Sequence, residues 1–78
     1  MTSFNFSHIQ TKPSKWGKTY ALLCETKNGA YVINVFHGDN GGMCSTGFRK
    51  SDGKDVSCMS KFGAKIHGAA MQYAKANF

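Results

Sequence analysis

The chain has 78 residues, with ten Lys and Arg against four Asp and Glu, a formal charge of +6. That length allows one domain burying roughly 60 to 65% of its unfolded surface, which leaves no room for a second, site-bearing domain. Apolar residues at 41%, with six Phe, three Tyr and one Trp, exclude a disordered basic tail.

Residues Ser3 to Thr11 carry Phe4 and Phe6 two apart and then Ile9, which predicts an edge strand whose alternation breaks near His8. Thr11 to Lys18 is polar, holds the only proline, Pro13, and ends in Trp16-Gly17-Lys18, the pattern of a loop. Asn28-Gly29 tolerates the positive φ of a type I′ turn and predicts a β-hairpin between the β-rich segments beside it. Pairing outward from that turn sets Thr26 opposite Tyr31, Cys24 opposite Ile33, Leu22 opposite Val35 and Tyr20 opposite His37. All eight side chains then share one face, the expected core face. The other face holds Lys27, Glu25, Asn34, Leu23, Val32 and Phe36 and is mixed in character.

Gly38-Asp39-Asn40-Gly41-Gly42 is too rich in glycine for regular structure and predicts a mobile turn or loop. A further strand is expected over Met43 to Lys50, then a turn at Ser51-Asp52-Gly53-Lys54. Asp55 or Ser57 is expected to cap a helix running towards the C-terminus. Met59, Phe62, Ile66, Ala69 or Ala70, and Tyr73 would form its buried stripe, and Lys61, Lys65, Gly68, Gln72 and Lys75 its outward row. Gly63 and Gly68, with Ala64, His67 and Met71, would leave a low strip for close packing or for a partner. The expected fold is α+β, a single domain over residues 1–78: an antiparallel sheet of three to four strands with one C-terminal α-helix packed on one face.

The cysteines, Cys24, Cys44 and Cys58, are odd in number and widely spaced, which fits a reducing cytoplasm better than a secreted disulfide framework. Met1 to Gln10 has neither a basic start nor an apolar run, and no stretch of about 18 apolar residues occurs, so no export signal, membrane helix or membrane partner is expected. His8, His37 and His67 with the cysteines are enough donors for zinc, but without a CxxC or HxxxH pair the sequence predicts no metal and no cofactor. Cys58 near the first helical turn is the one candidate thiol nucleophile, yet His67 falls on another helical face and the four acids form no pair. The sequence therefore predicts a protein that binds rather than catalyses.

Nine of the ten cations are lysines, and three clusters stand out. They are Lys12, Lys15 and Lys18 around Trp16; Arg49, Lys50 and Lys54 beside Phe48; and Lys61, Lys65 and Lys75 on the helix. Cations interleaved with aromatic rings suit phosphate contact with base stacking, although a solvated surface carries the same residues. With a single arginine, the set favours backbone contact over base reading. Trp16-Gly17-Lys18 with Tyr20-Ala21, and Ala69-Ala70 with Tyr73, loosely resemble motifs of AP2-type DNA-binding domains, which place a three-stranded sheet on one helix. The family's base-reading arginines are missing here, so the resemblance is one of topology.

The expected partner is nucleic acid or the acidic surface of a protein or nucleoprotein complex, and a homodimer stays open. The alternative is an inhibitor of the kind phages use for host takeover or anti-defence, similar to anti-CRISPR proteins in size and simplicity, acting in the host cytoplasm. For such an inhibitor Trp16, the Gly38 to Gly42 loop and the exposed sheet face would form the contact surface.

Overall fold

The structure, a computed structural model, describes residues 4–78. Four strands, β1 (Phe6–Ser14), β2 (Gly17–Thr26), β3 (Gly29–Gly38) and β4 (Met43–Arg49), precede one helix, α1 (Lys61–Asn77). The strands form an antiparallel meander in the order β1-β2-β3-β4, so every connection within the sheet is a hairpin. The fold is the expected α+β one, with the helix packed across one face of the sheet.

The first strand differs from expectation. Ser3 lies outside the described residues, and the segment expected as a loop is strand as far as Ser14, with Lys15-Trp16 alone making the turn into β2. Pro13 is accommodated opposite Lys18 because β1 is an edge strand, where one side of the backbone needs no partner. The break expected near His8 is a bulge between His8 and Gln10, which twists an exposed edge away from further pairing.

The hairpin between β2 and β3 forms, but its turn residues are Lys27 and Asn28, and Thr26 pairs with Gly29. Leu22 therefore faces Ile33, not Val35, and Tyr20 faces Val35, not His37. Positive φ falls on Gly29 alone, at +125°, and Thr26 Oγ1 closes the turn by accepting from Asn28 N–H and donating to the Gly29 carbonyl. A shift of two residues preserves which face each side chain takes. Tyr20, Leu22, Cys24, Tyr31, Ile33 and Val35 accordingly point to the core, where Ile66, Ala70 and Ala74 of the helix meet them. Fully burying Leu22, Ile33, Val35 and Ile66 contributes about 1.5 to 3 kcal/mol each. Phe62 is half-buried at the rim, its ring against Tyr31 and Phe4.

The segment between Gly38 and Gly42 is a closed turn rather than an open loop. Gly38 N–H donates to the Gly42 carbonyl, Gly41 N–H to the Gly38 carbonyl, and Gly42 N–H to Asn40 Oδ1. Asp39 N–H donates to the Trp16 carbonyl at 2.9 Å, which ties this turn to the β1–β2 turn.

The helix begins later than expected, with Ser60 as its cap. Ser60 Oγ accepts from Gly63 N–H at 2.9 Å, whereas Ser57 spends its hydroxyl on Met59 N–H and Asp55 forms a bridge with Phe48. Met59 thus stands before the helix, 89% exposed, and the buried stripe is Gly63, Ile66, His67, Ala70 and Ala74. Gly63 is required by close approach: a Cβ there would collide with the Ser57 carbonyl oxygen. Of the expected strip, Gly63 and His67 are buried, Ala64 is exposed, and Gly68 and Met71 are half-buried, with open space above Gly68.

Candidate functional site

The structure regroups the three basic clusters: one lies at the β1–β2 turn, and most of the other two lie at the opposite end of the sheet. Lys12, Lys15 and Lys18 gather at the β1–β2 turn, where Trp16 is 72% exposed and Lys15 Nζ lies 5.9 Å from its ring centroid. Lys61 and Lys65 lie at the start of the helix, at the opposite end of the sheet, and Lys75 lies in its last turn. Lys50 and Lys54 occupy the turn after β4, with Lys50 N–H bonded to the Ala30 carbonyl near the β2–β3 turn.

Arg49 does not join that set as a free cation. Its guanidinium donates twice to the Asp52 carboxylate, at 2.7 and 3.2 Å. Asp52 also accepts from Lys54 N–H, and the two contacts hold its carboxyl down to about 2, while the guanidinium is pushed up by the same pair. Among the described residues this is the sole ion pair, so none of the described lysines lies in direct contact with a carboxylate.

One lysine absent from the expected clusters completes a site. Between the β2–β3 turn and the first two turns of α1 lies a groove of about 570 Å³, lined by Lys27, Lys61 and Lys65 with Phe4, Phe62 and a single carboxylate, Glu25. The first turn of α1 contains no acid, although the positive end of the helix dipole favours one there. Lysines and helix dipole therefore add to one positive field. Sequence spacing gives no hint of this grouping, since Lys27 and Lys61 are brought together by the turn and the helix start alone. Phe62 also walls a second, smaller hollow of about 290 Å³ that includes Lys54 and Arg49.

Among the described residues, the face of the sheet turned away from the helix carries no second layer of secondary structure. Its rows read Ser7, Leu23, Val32, Phe48; then Gln10, Ala21, Asn34, Thr46; then Lys12, Thr19, Phe36, Cys44. The half-buried apolar side chains Leu23, Val32, Phe36 and Phe48 make most of its bulk.

The sequence also left a buried histidine unassigned. His67 is 2% exposed, its Nδ1 2.7 Å from Ser45 Oγ and its Nε2 2.8 Å from the Val56 carbonyl. That carbonyl can only accept, so Nε2 carries a proton, and in the neutral imidazole Nδ1 accepts from the Ser45 hydroxyl. The two ring nitrogens hold the helix to β4 through Ser45 and to the connection after it through Val56. Cys58 lies two residues before the cap and Cys24 is buried, its thiol pushed up by that burial. Among the described residues no three His, Cys, Asp or Glu side chains form a metal-holding group, and no helix is long and apolar enough to cross a membrane. No family model matches the chain, and neither a curated protein nor a solved structure resembles it significantly.

Proposed function

We propose that the protein is a non-enzymatic binder of nucleic acid that holds phosphates with lysines, principally Lys27, Lys61 and Lys65 at the helix start. The observation that carries the reading is the groove in which these three cations face one carboxylate at the positive end of a helix. Cations placed at a helix N-terminus cost the isolated fold a few tenths of a kcal/mol, and that cost is recovered when an anion binds. Lys12, Lys15 and Lys18 form the second contact region, with Trp16 free to stack on a base. Lys50, Lys54 and Lys75 extend the field, while Arg49 acts within its turn.

The reading is tested by titrating labelled DNA and RNA oligonucleotides with the wild-type protein and with Lys61→Glu/Lys65→Glu. Reversing two groove charges weakens binding to all sequences about equally, because phosphates carry no base identity. Unchanged affinity in the variant removes the groove from the interface.

The exposure of Trp16 favours a second reading, an inhibitor of the anti-defence type that occupies an acidic protein surface with Trp16 as its anchor. Retention of a protein partner after nuclease treatment, lost with Trp16→Ala, supports it.

A further inference from the structure

We propose that the uncovered face of the sheet holds a subsite for one unpaired nucleobase of a single strand, with the Phe48 ring as stacking surface and Lys12 on the adjoining phosphate. The inference rests on the nucleic-acid reading and adds to it the class of strand. A shallow cavity of about 230 Å³ crosses all four strands, lined by Gln10 and Lys12 from β1, Thr19 from β2, Val32 and Asn34 from β3, and Phe48 from β4. It falls below the roughly 300 to 1,000 Å³ of pockets that enclose a drug-sized ligand, and suits one flat ring laid on the sheet.

The chemistry of the lining matches such a ring. An aromatic face stacks on any base. The Gln10 and Asn34 amides each offer an acceptor and donors, the groups that pair with base edges. Lys12 supplies a cation and no carboxylate lines the cavity. All these groups stand on paired strands, which fixes their spacing before binding. A duplex cannot use the cavity in this way, because its base faces are stacked on one another within the helix and are not open to the Phe48 ring.

Charge decides against a second copy of the chain as occupant. Two bodies of +6 repel each other, and the cavity on this face has Lys12 as its cation and no carboxylate to answer a second copy's Lys12. A polyanion with apolar rings meets both the charge and the apolar surface.

The test compares a labelled short oligonucleotide, single-stranded and as its duplex, against wild type, Phe48→Ala and Phe48→Leu, with amide NMR shifts recorded on the wild type. Loss of the ring lowers single-strand affinity about five- to hundredfold in both variants, leaves duplex affinity and the salt dependence unchanged, and the wild-type amides of Asn34 and Phe48 shift on adding the single strand. The leucine variant and the wild-type shifts decide the matter if Phe48→Ala fails to fold. Salt-dependent wild-type binding with no loss in Phe48→Leu and no shift at Asn34 or Phe48 overturns the subsite and leaves the phosphate reading standing. No wild-type binding to either form overturns both. A stable dimer that buries Phe48 overturns the subsite in favour of self-association.

Discussion

Ser45 Oγ donates to His67 Nδ1 across 2.7 Å, joining the third residue of β4 to the middle of the helix, while Nε2 of the same ring donates to the Val56 carbonyl. One buried imidazole thus spans three segments: the sheet, the connection that follows it, and the helix. His67→Ala leaves a cavity and deprives the Val56 carbonyl and the Ser45 hydroxyl of their partners. The expected loss is about 2 to 4 kcal/mol, measured by urea unfolding. A loss below about 1 kcal/mol shows that the ring is not a structural tie.

Gly63 and Gly68 occupy the same helix but predict opposite signs. Gly68→Ala meets nothing within 4 Å and stabilises by up to about 1 kcal/mol through helix propensity. Gly63→Ala drives a methyl into the Ser57 backbone, so it destabilises despite the same propensity gain. Thermal unfolding of the pair checks both signs at once.

Thiol reactivity should divide two to one. Cys44 and Cys58 are exposed, whereas Cys24 is buried and its thiol is pushed up, lowering its thiolate fraction. A thiol reagent should titrate two groups in the folded protein and the third only with denaturant. Rapid reaction of all three contradicts the placement of Cys24 under the helix.

The Arg49–Asp52 pair predicts a pH signature. Asp52 titrates near 2 when folded, below its ordinary value of 3.8. Since the folded value is the lower one, the pair's contribution to stability is complete above 3.8 and is lost as pH falls through about 2. Carboxyl NMR titration should give a midpoint near 2 in wild type, returning towards 3.8 in Arg49→Gln. A wild-type midpoint at the ordinary value contradicts the pairing.

What the sequence revealed about this fold follows from which signals are local. Alternation in β2 and β3 identifies the core face, and it survives a register error because a displacement of two residues returns each side chain to its own side of the sheet. The turn itself departs from the expected one because Asn28 and Gly29 both permit positive φ, while the Thr26 hydroxyl closes a turn that uses only Gly29. The helix start departs from expectation for a similar reason: Asp55, Ser57 and Ser60 are all cap formers. Contact of Gly63 with the Ser57 carbonyl, which belongs to the tertiary fold, accompanies the choice of Ser60.

The candidate sites were less legible. Lys61 and Lys65 were visible as a helical row, but Lys27 joins them only through the placement of a hairpin turn against the helix start. The cavity under Phe48 draws on all four strands, so no window of sequence contains it. Arg49 looked like a phosphate ligand by composition, and Asp52 three residues later takes it up.

Affinity for a single-stranded oligonucleotide as a function of salt tests the central claim most directly. With four to six phosphates neutralised on a single strand, log affinity should fall against log salt with a slope of roughly −3 to −4. Lys61→Glu/Lys65→Glu should flatten that slope by about 1.4, the share of two phosphate contacts on a single strand. Absence of binding at low salt, or an affinity that salt does not change, contradicts the account.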